Sequence, residues 1–333
     1  MIVIRDIEEL DRHLVNLETA RQISDAELRK HFDAFCMEFP PPKAEDPDSS
    51  EYRDEQLALY ERIAGKKYST ANEVSLFDPI DSANYPFPYS TQGWEVIGDH
   101  LIATGYIIKL MRLNPGASIL EFGPGWGNTT IAMARSGYDV TCIEIEKNFV
   151  DLIKKRAKRK SVSVNAILGD FMDAKKIGRR FDAVLFFECF HHCAQHNDLL
   201  DLLDELVNPG GIIVFAAEPI YENFYAPWGL RSDGQTLWAI RSQGWLELGF
   251  HERYFTQSLR RRGWDVTKST CDLINNGTCY IAQRAHEVRS FGPTETAGQS
   301  LPRRFTAFKA FLRPITPTWL RRVGMRILAR FVR

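Results

Sequence analysis

The first part of the chain has an apolar pattern with helical spacing. Apolar positions in residues 6–17 recur every three or four residues, which predicts a helix. The Ser24–Glu27 segment has a capping-box pattern and predicts a second helix that reaches Phe39, just before a proline run that must end it. A third helix is expected over residues 50–64. The sequence therefore predicts a helical N-terminal extension over residues 1–90, whose last part is an aromatic connector or a lid.

From residue 117 to about 283, strand patterns alternate with helix patterns. Phe181–Phe187 is apolar apart from Asp182, as expected for a strand that is buried on both faces of a parallel sheet. Two late strand patterns, Val266–Ile274 and Thr278–Gln283, are separated by an Asn-Asn-Gly turn, which is a hairpin signal. We therefore predict an α/β domain over residues 91–284, with a Rossmann-like, mostly parallel sheet and helices on both faces.

One stretch, Ile119–Thr130, runs from a strand through a glycine turn into a helix, with Glu121 at the end of the strand. Such a turn is the phosphate- or cofactor-binding entrance of an open α/β sheet. The dinucleotide fingerprint needs a third glycine where Asn128 stands, so the spacing argues against a dinucleotide. A carboxylate beside the turn suits a cationic or zwitterionic ligand. The turn contains three alternating glycines, Gly123, Gly125 and Gly127.

The Glu-x-Gly-x-Gly-x-Gly pattern of residues 121–127 resembles motif I of the class I S-adenosylmethionine-dependent methyltransferases. The resemblance implies S-adenosylmethionine as cofactor and a seven-stranded sheet with one antiparallel strand. It implies that Glu144, or Glu146 if the register differs by two, binds the ribose hydroxyls. It also implies that Asp170 accepts a hydrogen bond from the adenine amino group. The predicted cofactor-binding residues are Glu121, Phe122, Gly123, Gly125, Gly127, Glu144, Ile145, Asp170, Phe171 and Glu188.

Two adjacent histidines, His191 and His192, follow the apolar strand of residues 181–187. In the resembled family this position faces the methyl donor. A neutral imidazole can accept a hydroxyl proton while the oxygen attacks the methyl group. Alternatively, one histidine only closes the cofactor pocket, and Glu188 orients a histidine or binds substrate. The predicted catalytic residues are His192, His191 and Glu188.

The same region contains cysteines and a third histidine, which raises the question of zinc. Cys189 and Cys193 stand four residues apart with histidines between them, which is not the spacing of a structural zinc site. We therefore expect no metal. A magnesium-assisted variant that uses carboxylates such as Glu188 or Glu218 is the alternative. The zinc hypothesis would use Cys189, His191, His192, Cys193 and His196.

Charge is distributed unevenly along the chain. Of 333 residues, 42 are Lys or Arg and 43 are Asp or Glu, and nine of the basic ones lie in residues 301–333, which contain no acidic residue. That segment predicts a basic amphipathic tail, joined by a polar linker over residues 285–300. Such a helix favours contact with a membrane surface, and docking on the domain is the alternative. Because the rest of the chain is acidic, no nucleic-acid partner is expected.

The insertion after the fifth strand, about residues 219–249, is rich in Trp and Tyr. It predicts an acceptor pocket or a small hydrophobic subdomain. The chain starts without a secretory signal pattern and has no apolar run of about 18 residues. We therefore expect a cytoplasmic location. Contact of the tail with a membrane would place the protein at the inner face of that membrane.

These patterns lead to one preferred function and two alternatives. The preferred function is transfer of a methyl group to a hydroxyl of a small acceptor, with a sugar of a lipid-linked glycan or polysaccharide precursor as the first choice. Similarity to polysaccharide-associated methyltransferases of bacteria supports that choice. The alternatives are an O- or N-methyltransferase of a soluble metabolite and a catalytically inactive binding or scaffold protein.

Overall fold

The computed structural model describes residues 2–75, 77–85, 87 and 94–284. Within those residues, no helix is both long enough and apolar enough to cross a membrane. The predicted linker and basic tail lie outside them, as do residues 86 and 88–90 of the predicted lid and residues 91–93 at the start of the predicted α/β domain. The helices are α1 (Ile7–Ile23), α2 (Asp25–Phe32), α3 (Ser50–Ala64), α4 (Pro79–Ser82), α5 (Trp94–Met111), α6 (Asn128–Arg135), α7 (Lys147–Lys160), α8 (His196–Leu206), α9 (Gly234–Trp238) and α10 (Glu252–Arg261).

Short helical turns complete the helical part, and the strands form three sheets. The 3-10 helices are Thr70–Asn72, Phe171–Ile177 and Phe190–His192, and Ala239–Gln243 is a π-helix. The strands are β1 (Ile2–Ile4), β2 (Phe35–Met37), β3 (Ser118–Phe122), β4 (Asp139–Glu144), β5 (Asn165–Leu168), β6 (Phe181–Phe187), β7 (Val207–Ala216), β8 (Ile220–Tyr221), β9 (Trp228–Leu230), β10 (Leu248–His251), β11 (Trp264–Thr270) and β12 (Thr278–Arg284).

The central sheet has seven strands in the order β11-β12-β7-β6-β3-β4-β5. β12 pairs antiparallel with both of its neighbours, and the other pairs are parallel. β3 lies between β4 and β6, so the strand order reverses at β3, and a ligand is expected at its carboxyl end. The predicted Rossmann-like sheet with one antiparallel strand is confirmed.

The strand β7 begins earlier than the sequence indicates. Its pairing with β6 starts at Val207 opposite Phe181, shifts register, and resumes at Ile212 opposite Ala183. The Asn-Pro-Gly-Gly segment, which predicts a turn before the strand, is therefore an irregular part of the strand itself. A Cβ on Gly211 would lie 2.7 Å from the Val207 side chain, so glycine is required where the strand bends.

The N-terminal extension contains two strands that the helical pattern does not reveal. α2 starts as predicted, because the Ser24 side chain accepts a hydrogen bond from the Glu27 N–H at 3.1 Å. However, α2 ends at Phe32, and Phe35–Met37 pairs in parallel with Ile2–Ile4. The prediction of a helix that reaches Phe39 is wrong, because pairing with a segment distant in sequence overrides the local helical preference.

The extension packs on the insertion, which contains a small sheet with the order β8-β10-β9. The Tyr52 hydroxyl donates to the Trp228 carbonyl at 2.8 Å, and the Leu230 N–H donates to Gln56 Oε1 at 3.1 Å. The Tyr60 hydroxyl donates to the carbonyl of Gly244 at 2.5 Å. These tyrosines are buried and share one hydrophobic core with the insertion and the central sheet.

Replacing Tyr52 with Phe tests this packing. The Tyr52→Phe variant leaves the buried Trp228 carbonyl without its donor, so we expect the free energy of unfolding to fall by about 1–3 kcal/mol. Urea unfolding measures the change. Tyr85→Phe is the matched control, because the Tyr85 ring is exposed and its change should be small. Equal effects of both variants would contradict a role of the Tyr52 hydroxyl in joining extension and insertion.

Candidate functional site

The three glycines of the turn between β3 and α6 have different roles. All have positive φ, +53° at Gly123, +50° at Gly125 and +70° at Gly127, which glycine adopts without strain. A Cβ at the first would lie 2.6 Å from Cys189 Cβ, and one at the third would lie 2.5 Å from Ile153 Cγ1. At the middle glycine nothing lies within 4 Å. The outer glycines therefore permit close packing, and the middle one borders open space.

Glu121 lies at the carboxyl end of β3 with only 2% of its surface exposed. The Thr130 hydroxyl donates a hydrogen bond to its Oε2 at 2.5 Å. Burial raises the pKa of Glu121 to about 7, although this hydrogen bond opposes the rise. A buried carboxylate with so little compensation favours a positively charged ligand beside it.

Glu144 lies at the end of β4 and faces the glycine turn. Its Oε2 accepts from the Gly125 N–H at 3.0 Å, and its Oε1 accepts from the Glu146 N–H at 3.0 Å. Burial raises its pKa. The carboxylate of Glu146 instead caps α7 by accepting from the Asn148 N–H at 2.9 Å. Of the two predicted candidates, the structure thus places Glu144 at the turn, with half-buried Ile145 following it.

Asp170 and Phe171 follow β5, the strand next to Glu144 in the sheet. Asp170 caps the short helix that follows, accepting from the Asp173 N–H at 3.0 Å in a reciprocal capping box. The Phe171 ring packs against Phe122 with centroids 5.7 Å apart. The ends of β3, β4 and β5 therefore bring the predicted cofactor residues to one edge of the sheet.

A cavity of about 140 Å³ opens beside the glycine turn. This volume is below the roughly 300–1,000 Å³ of whole-ligand sites, so the cavity fits one end of a ligand. Four predicted residues line it: Glu121, Gly123, Gly125 and Glu188. Six further residues line it that the sequence predictions do not include: His100, Pro124, Trp126, Asn128, Thr129 and Phe187.

Asn128 is the first residue of α6 and borders this cavity. It is 9% exposed, and neither atom of its side-chain amide has a hydrogen-bond partner among the described residues. Buried amides are normally hydrogen-bonded, so these two atoms fit a polar ligand group in the cavity. His100 contacts the Thr129 hydroxyl at 3.3 Å, and burial, together with the charge of Arg156, lowers the pKa of His100 to about 4.

Glu188 stands directly after β6 and has a φ of +53°, a left-handed conformation that is strained for a residue with a side chain. Its side chain is accessible from the cavity. The surrounding protein nevertheless desolvates the carboxyl and, together with the charge of Glu218, raises its pKa to about 7. A strained carboxylate with a shifted pKa on a cavity wall is typical of a functional site.

The buried carboxylate of Glu218 organises the turn after Glu188. It accepts from the backbone N–H groups of Cys189 at 2.9 Å and Phe190 at 2.8 Å, and from His191 Nδ1 at 2.8 Å. Burial acts to raise the pKa of Glu218, but these bonds outweigh it and hold the pKa low. An ionised carboxylate can only accept, so His191 Nδ1 carries a proton. His191 Nε2 lies 3.6 Å from Glu247 Oε2.

His192 is held by a different acceptor. Its Nδ1 lies 2.5 Å from the carbonyl oxygen of Leu246, and a carbonyl can only accept, so Nδ1 carries the proton. Glu73 Oε2 lies 3.7 Å from the same nitrogen. Burial raises the pKa of Glu73 to about 7. The Nε2 atom of His192 is therefore an acceptor when the ring is neutral.

Comparison with known proteins agrees with this arrangement. The profile of the methyltransferase domain family matches residues 119–211. A ubiquinone biosynthesis O-methyltransferase of Coxiella burnetii is 27% identical over 121 residues, 36% of this chain and 50% of that protein. A demethylmenaquinone methyltransferase of Tropheryma whipplei is 28% identical over 120 residues, 36% of this chain and 49% of that protein. This chain thus spans about half the length of the curated relatives it matches.

The matched segment contains the glycine turn on the central strand of the seven-stranded sheet. Residues 119–211 are thus similar to the methyltransferase domain family. The class I S-adenosylmethionine-dependent methyltransferases, which the glycine turn resembles, use S-adenosylmethionine as cofactor. The Burkholderia thailandensis 1,6-didemethyltoxoflavin-N1-methyltransferase, solved with S-adenosylhomocysteine, has a TM-score of 0.43 and 18% identity, over 64% of this chain and 92% of that one.

The structure disfavours the sulfur ligands of the zinc hypothesis. Both thiols are buried, which raises the pKa of Cys189 and Cys193, and the Cys189 thiol donates to the Phe122 carbonyl at 3.1 Å. His196 is turned into the core, where its Nε2 lies 3.1 Å from the Tyr254 hydroxyl and burial lowers its pKa to about 3. His196 therefore serves packing.

Several site residues have no clear signal in the sequence. His100 and Glu73 reach the site through packing between distant segments, and neither lies in a recognisable motif. Glu247 lies in the aromatic insertion, where the sequence indicates only a pocket in general terms. Asn128 could have been identified from the sequence, because it directly follows the third glycine of the turn.

A pair of glycine variants tests the cavity. Gly125→Val places a side chain in the open space, so we expect S-adenosylhomocysteine binding to fall below detection in calorimetry. Gly178→Val is the matched control, because Gly178 also has positive φ, +69°, and open space, but it ends the 3-10 helix of residues 171–177. Both variants carry similar backbone strain. Unchanged affinity in Gly125→Val would contradict the cofactor position.

Proposed function

We propose that this protein methylates a hydroxyl group of a small acceptor, with S-adenosylmethionine as methyl donor and Glu188 as proton acceptor. The observation that carries the proposal is the position of Glu188, on the wall of the same cavity that the glycine turn borders. When bound, S-adenosylmethionine supplies an electrophilic methyl group on a positively charged sulfur. The residues of the chain bind and orient the two substrates, and Glu188 accepts the proton.

The cavity residues fit the amino-acid end of this cofactor. Gly125 leaves room for a ligand, and Glu121 supplies a carboxylate for an ammonium group. The unpartnered Asn128 amide and the N-terminal end of α6 offer donors for a carboxylate. Glu144 and Asp170, at the ends of the next two strands, are the proposed partners of ribose and adenine. This division of charge suits a zwitterion.

Glu188 is a better base than either histidine by position. A base is most effective when its pKa lies near the working pH and it reaches the reacting proton. Glu188 lines the cavity and has a pKa of about 7. His191 and His192 do not line this cavity and lie on the side of the insertion, next to Glu247 and Leu246. We assign them to the binding of the acceptor oxygen.

The acceptor side is built by the insertion and the N-terminal extension. Tyr221, Phe224 and Tyr225 form an aromatic cluster in which two of the rings are substantially exposed, at 46% for Tyr221 and 42% for Tyr225. Such rings suit a sugar or another ring-shaped acceptor. The choice of a lipid-linked glycan depends on the basic tail of residues 301–333 and stays a prediction. One of the relatives is named as an O-methyltransferase of ubiquinone biosynthesis, which favours an oxygen acceptor as well.

Replacing Glu188 with Gln tests the base. A general base contributes about 10²–10⁴-fold, so we expect kcat/KM of Glu188→Gln to fall by about that factor. Affinity for S-adenosylhomocysteine should change little. Glu205→Gln on the exposed face of α8 is the matched control and should keep full activity. A Glu188→Gln enzyme with normal turnover would refute the assignment.

The pH profile gives a second measurement of the same role. The carboxylate is active when it is deprotonated and its pKa is raised to about 7. The wild-type kcat/KM should therefore rise about tenfold per pH unit below 7 and level off above it. The charged groups that act on Glu188 are Glu218, Glu247, Arg29 and Arg231. Loss of the acidic limb in Glu188→Gln identifies the titrating group.

Replacing Asn128 with Asp tests the cofactor orientation. An acidic residue at the start of α6 favours the helix dipole, so the fold should be retained, but it repels a ligand carboxylate. We expect Asn128→Asp to weaken S-adenosylhomocysteine binding by about 10–100-fold, as for the loss of a charge-assisted hydrogen bond. Calorimetry is the measurement.

The matched ligand is 5′-methylthioadenosine, which lacks the amino-acid group. Its affinity should be the same for Asn128→Asp and wild type. Equal weakening of both ligands would instead show that Asn128 maintains the shape of the cavity.

A further inference from the structure

We propose that His191, His192 and Glu247 bind a divalent transition-metal ion, with zinc the best match. One ligand-type atom from each of these side chains lies within 4.8 Å of the other two. Among the described residues, these are the side chains that converge in this way. The sequence predicts no metal here, because Glu247 is 55 residues away from His192 and lies in the insertion.

The hydrogen bonds behind the two imidazoles prepare them as ligands. His191 Nδ1 donates to the carboxylate of Glu218, and His192 Nδ1 donates to the carbonyl of Leu246. Histidines that bind metals typically donate their other ring N–H to a carboxylate or a backbone carbonyl, which fixes the ring and the tautomer. With Nδ1 used in this way, Nε2 is the nitrogen of each neutral imidazole that can bind an ion.

The contact between His191 Nε2 and Glu247 Oε2 has no proton donor of its own when His191 is neutral, although Arg231 also pairs with this carboxylate. With Nδ1 protonated, His191 Nε2 is an acceptor, and it lies 3.6 Å from another acceptor, Glu247 Oε2. Among the described residues, no donor reaches this nitrogen. Either a proton makes His191 an imidazolium between two carboxylates, or a cation lies between the two acceptors. The second imidazole of His192 beside them, with ring centroids 4.2 Å apart, favours the cation.

The ligand set indicates the kind of ion. Two imidazoles and one carboxylate are found in catalytic zinc sites, which keep a further position for water or substrate. Magnesium and calcium prefer oxygen ligands and fit this set poorly. Arg231 lies 3.3 Å from Glu247 Oε2 and also pairs with Asp233 at 3.1 Å. If Glu247 binds an ion instead, the charge of Arg231 is still balanced by the Asp233 carboxylate.

The position of this site in the fold suggests a role for the ion. This role rests on the proposed function. His191 and His192 follow β6 directly after Glu188. A bound ion polarises an acceptor hydroxyl oxygen and makes its proton more acidic. The O–H proton then passes to the Glu188 carboxylate. The oxygen forms a bond to the methyl carbon, and the electron pair of the carbon–sulfur bond stays on sulfur.

The test uses the full-length protein, stripped of metal and titrated with Co²⁺, which replaces Zn²⁺ and absorbs visible light. We expect one equivalent to produce visible bands typical of nitrogen and oxygen ligands. No thiolate-to-cobalt band should appear in the near ultraviolet, because neither Cys189 nor Cys193 belongs to the cluster of ligand atoms. Calorimetry with Zn²⁺ gives the affinity.

Variants identify the ligands. Glu247→Gln and His191→Gln should each lower Co²⁺ affinity at least about 100-fold, more than loss of an outer hydrogen bond does. His31→Gln is the matched control, because this imidazole is exposed on α2 near Glu27, and its affinity should equal that of wild type. S-adenosylhomocysteine binding by each variant shows that the fold is kept.

Three outcomes decide the question. Absent cobalt bands and absent zinc heat in the wild type overturn the site, as does equal binding by Glu247→Gln. Nitrogen NMR of His191 that shows an imidazolium in zinc-treated protein has the same consequence. S-adenosylhomocysteine binding without metal binding refutes only this site, whereas metal binding in a protein without methyl transfer refutes only the proposed reaction.

Discussion

The arrangement of the acceptor side depends on one buried carboxylate, that of Glu218. Its two oxygens accept bonds from three successive backbone N–H groups, those of Cys189, Phe190 and His191, and from the His191 ring. A buried charge is tolerated only with such complete hydrogen bonding. Because β6 and β7 are paired up to Phe187 and Ala216, the carboxylate lies at the point where β6 ends. Glu188 precedes the bound N–H groups, so its left-handed conformation follows from the turn that Glu218 fixes.

The central sheet was predictable because its signals are local and strong. Phe181–Phe187 has the same bounds in sequence and structure, since a run that is apolar apart from Asp182 and is flanked by charged residues favours a buried strand. The glycine turn and the late hairpin were equally clear. The strand Phe35–Met37 was not, because its partner Ile2–Ile4 lies more than 30 residues away and three residues carry no periodicity. Glu73 and Glu247 escaped prediction for the same reason: their roles exist only through contacts between distant segments.

The difference between local signals and contacts of distant segments also explains why sequence similarity indicates the cofactor class but not the acceptor. The matched segment, residues 119–211, contains the glycine turn, Glu144, Asp170 and Glu188. The residues around the two imidazoles, Glu73, Glu218 and Glu247, lie outside it. They come from the N-terminal extension and the insertion, which share one core. The acceptor side can therefore change through these two parts while the cofactor side stays constant.

The raised pKa values of Glu121 and Glu188 also fit the charge balance of the proposed reaction. Both carboxyls border a cavity that offers them little positive charge, so their ionised forms are costly without a ligand. A cofactor with a positive sulfur and an ammonium group compensates them on binding. Methyl transfer removes the charge on sulfur, and proton uptake removes the charge on Glu188 in the same step. The net charge of the cavity is therefore the same before and after transfer, and the product is left without the sulfur charge that helped to hold the substrate.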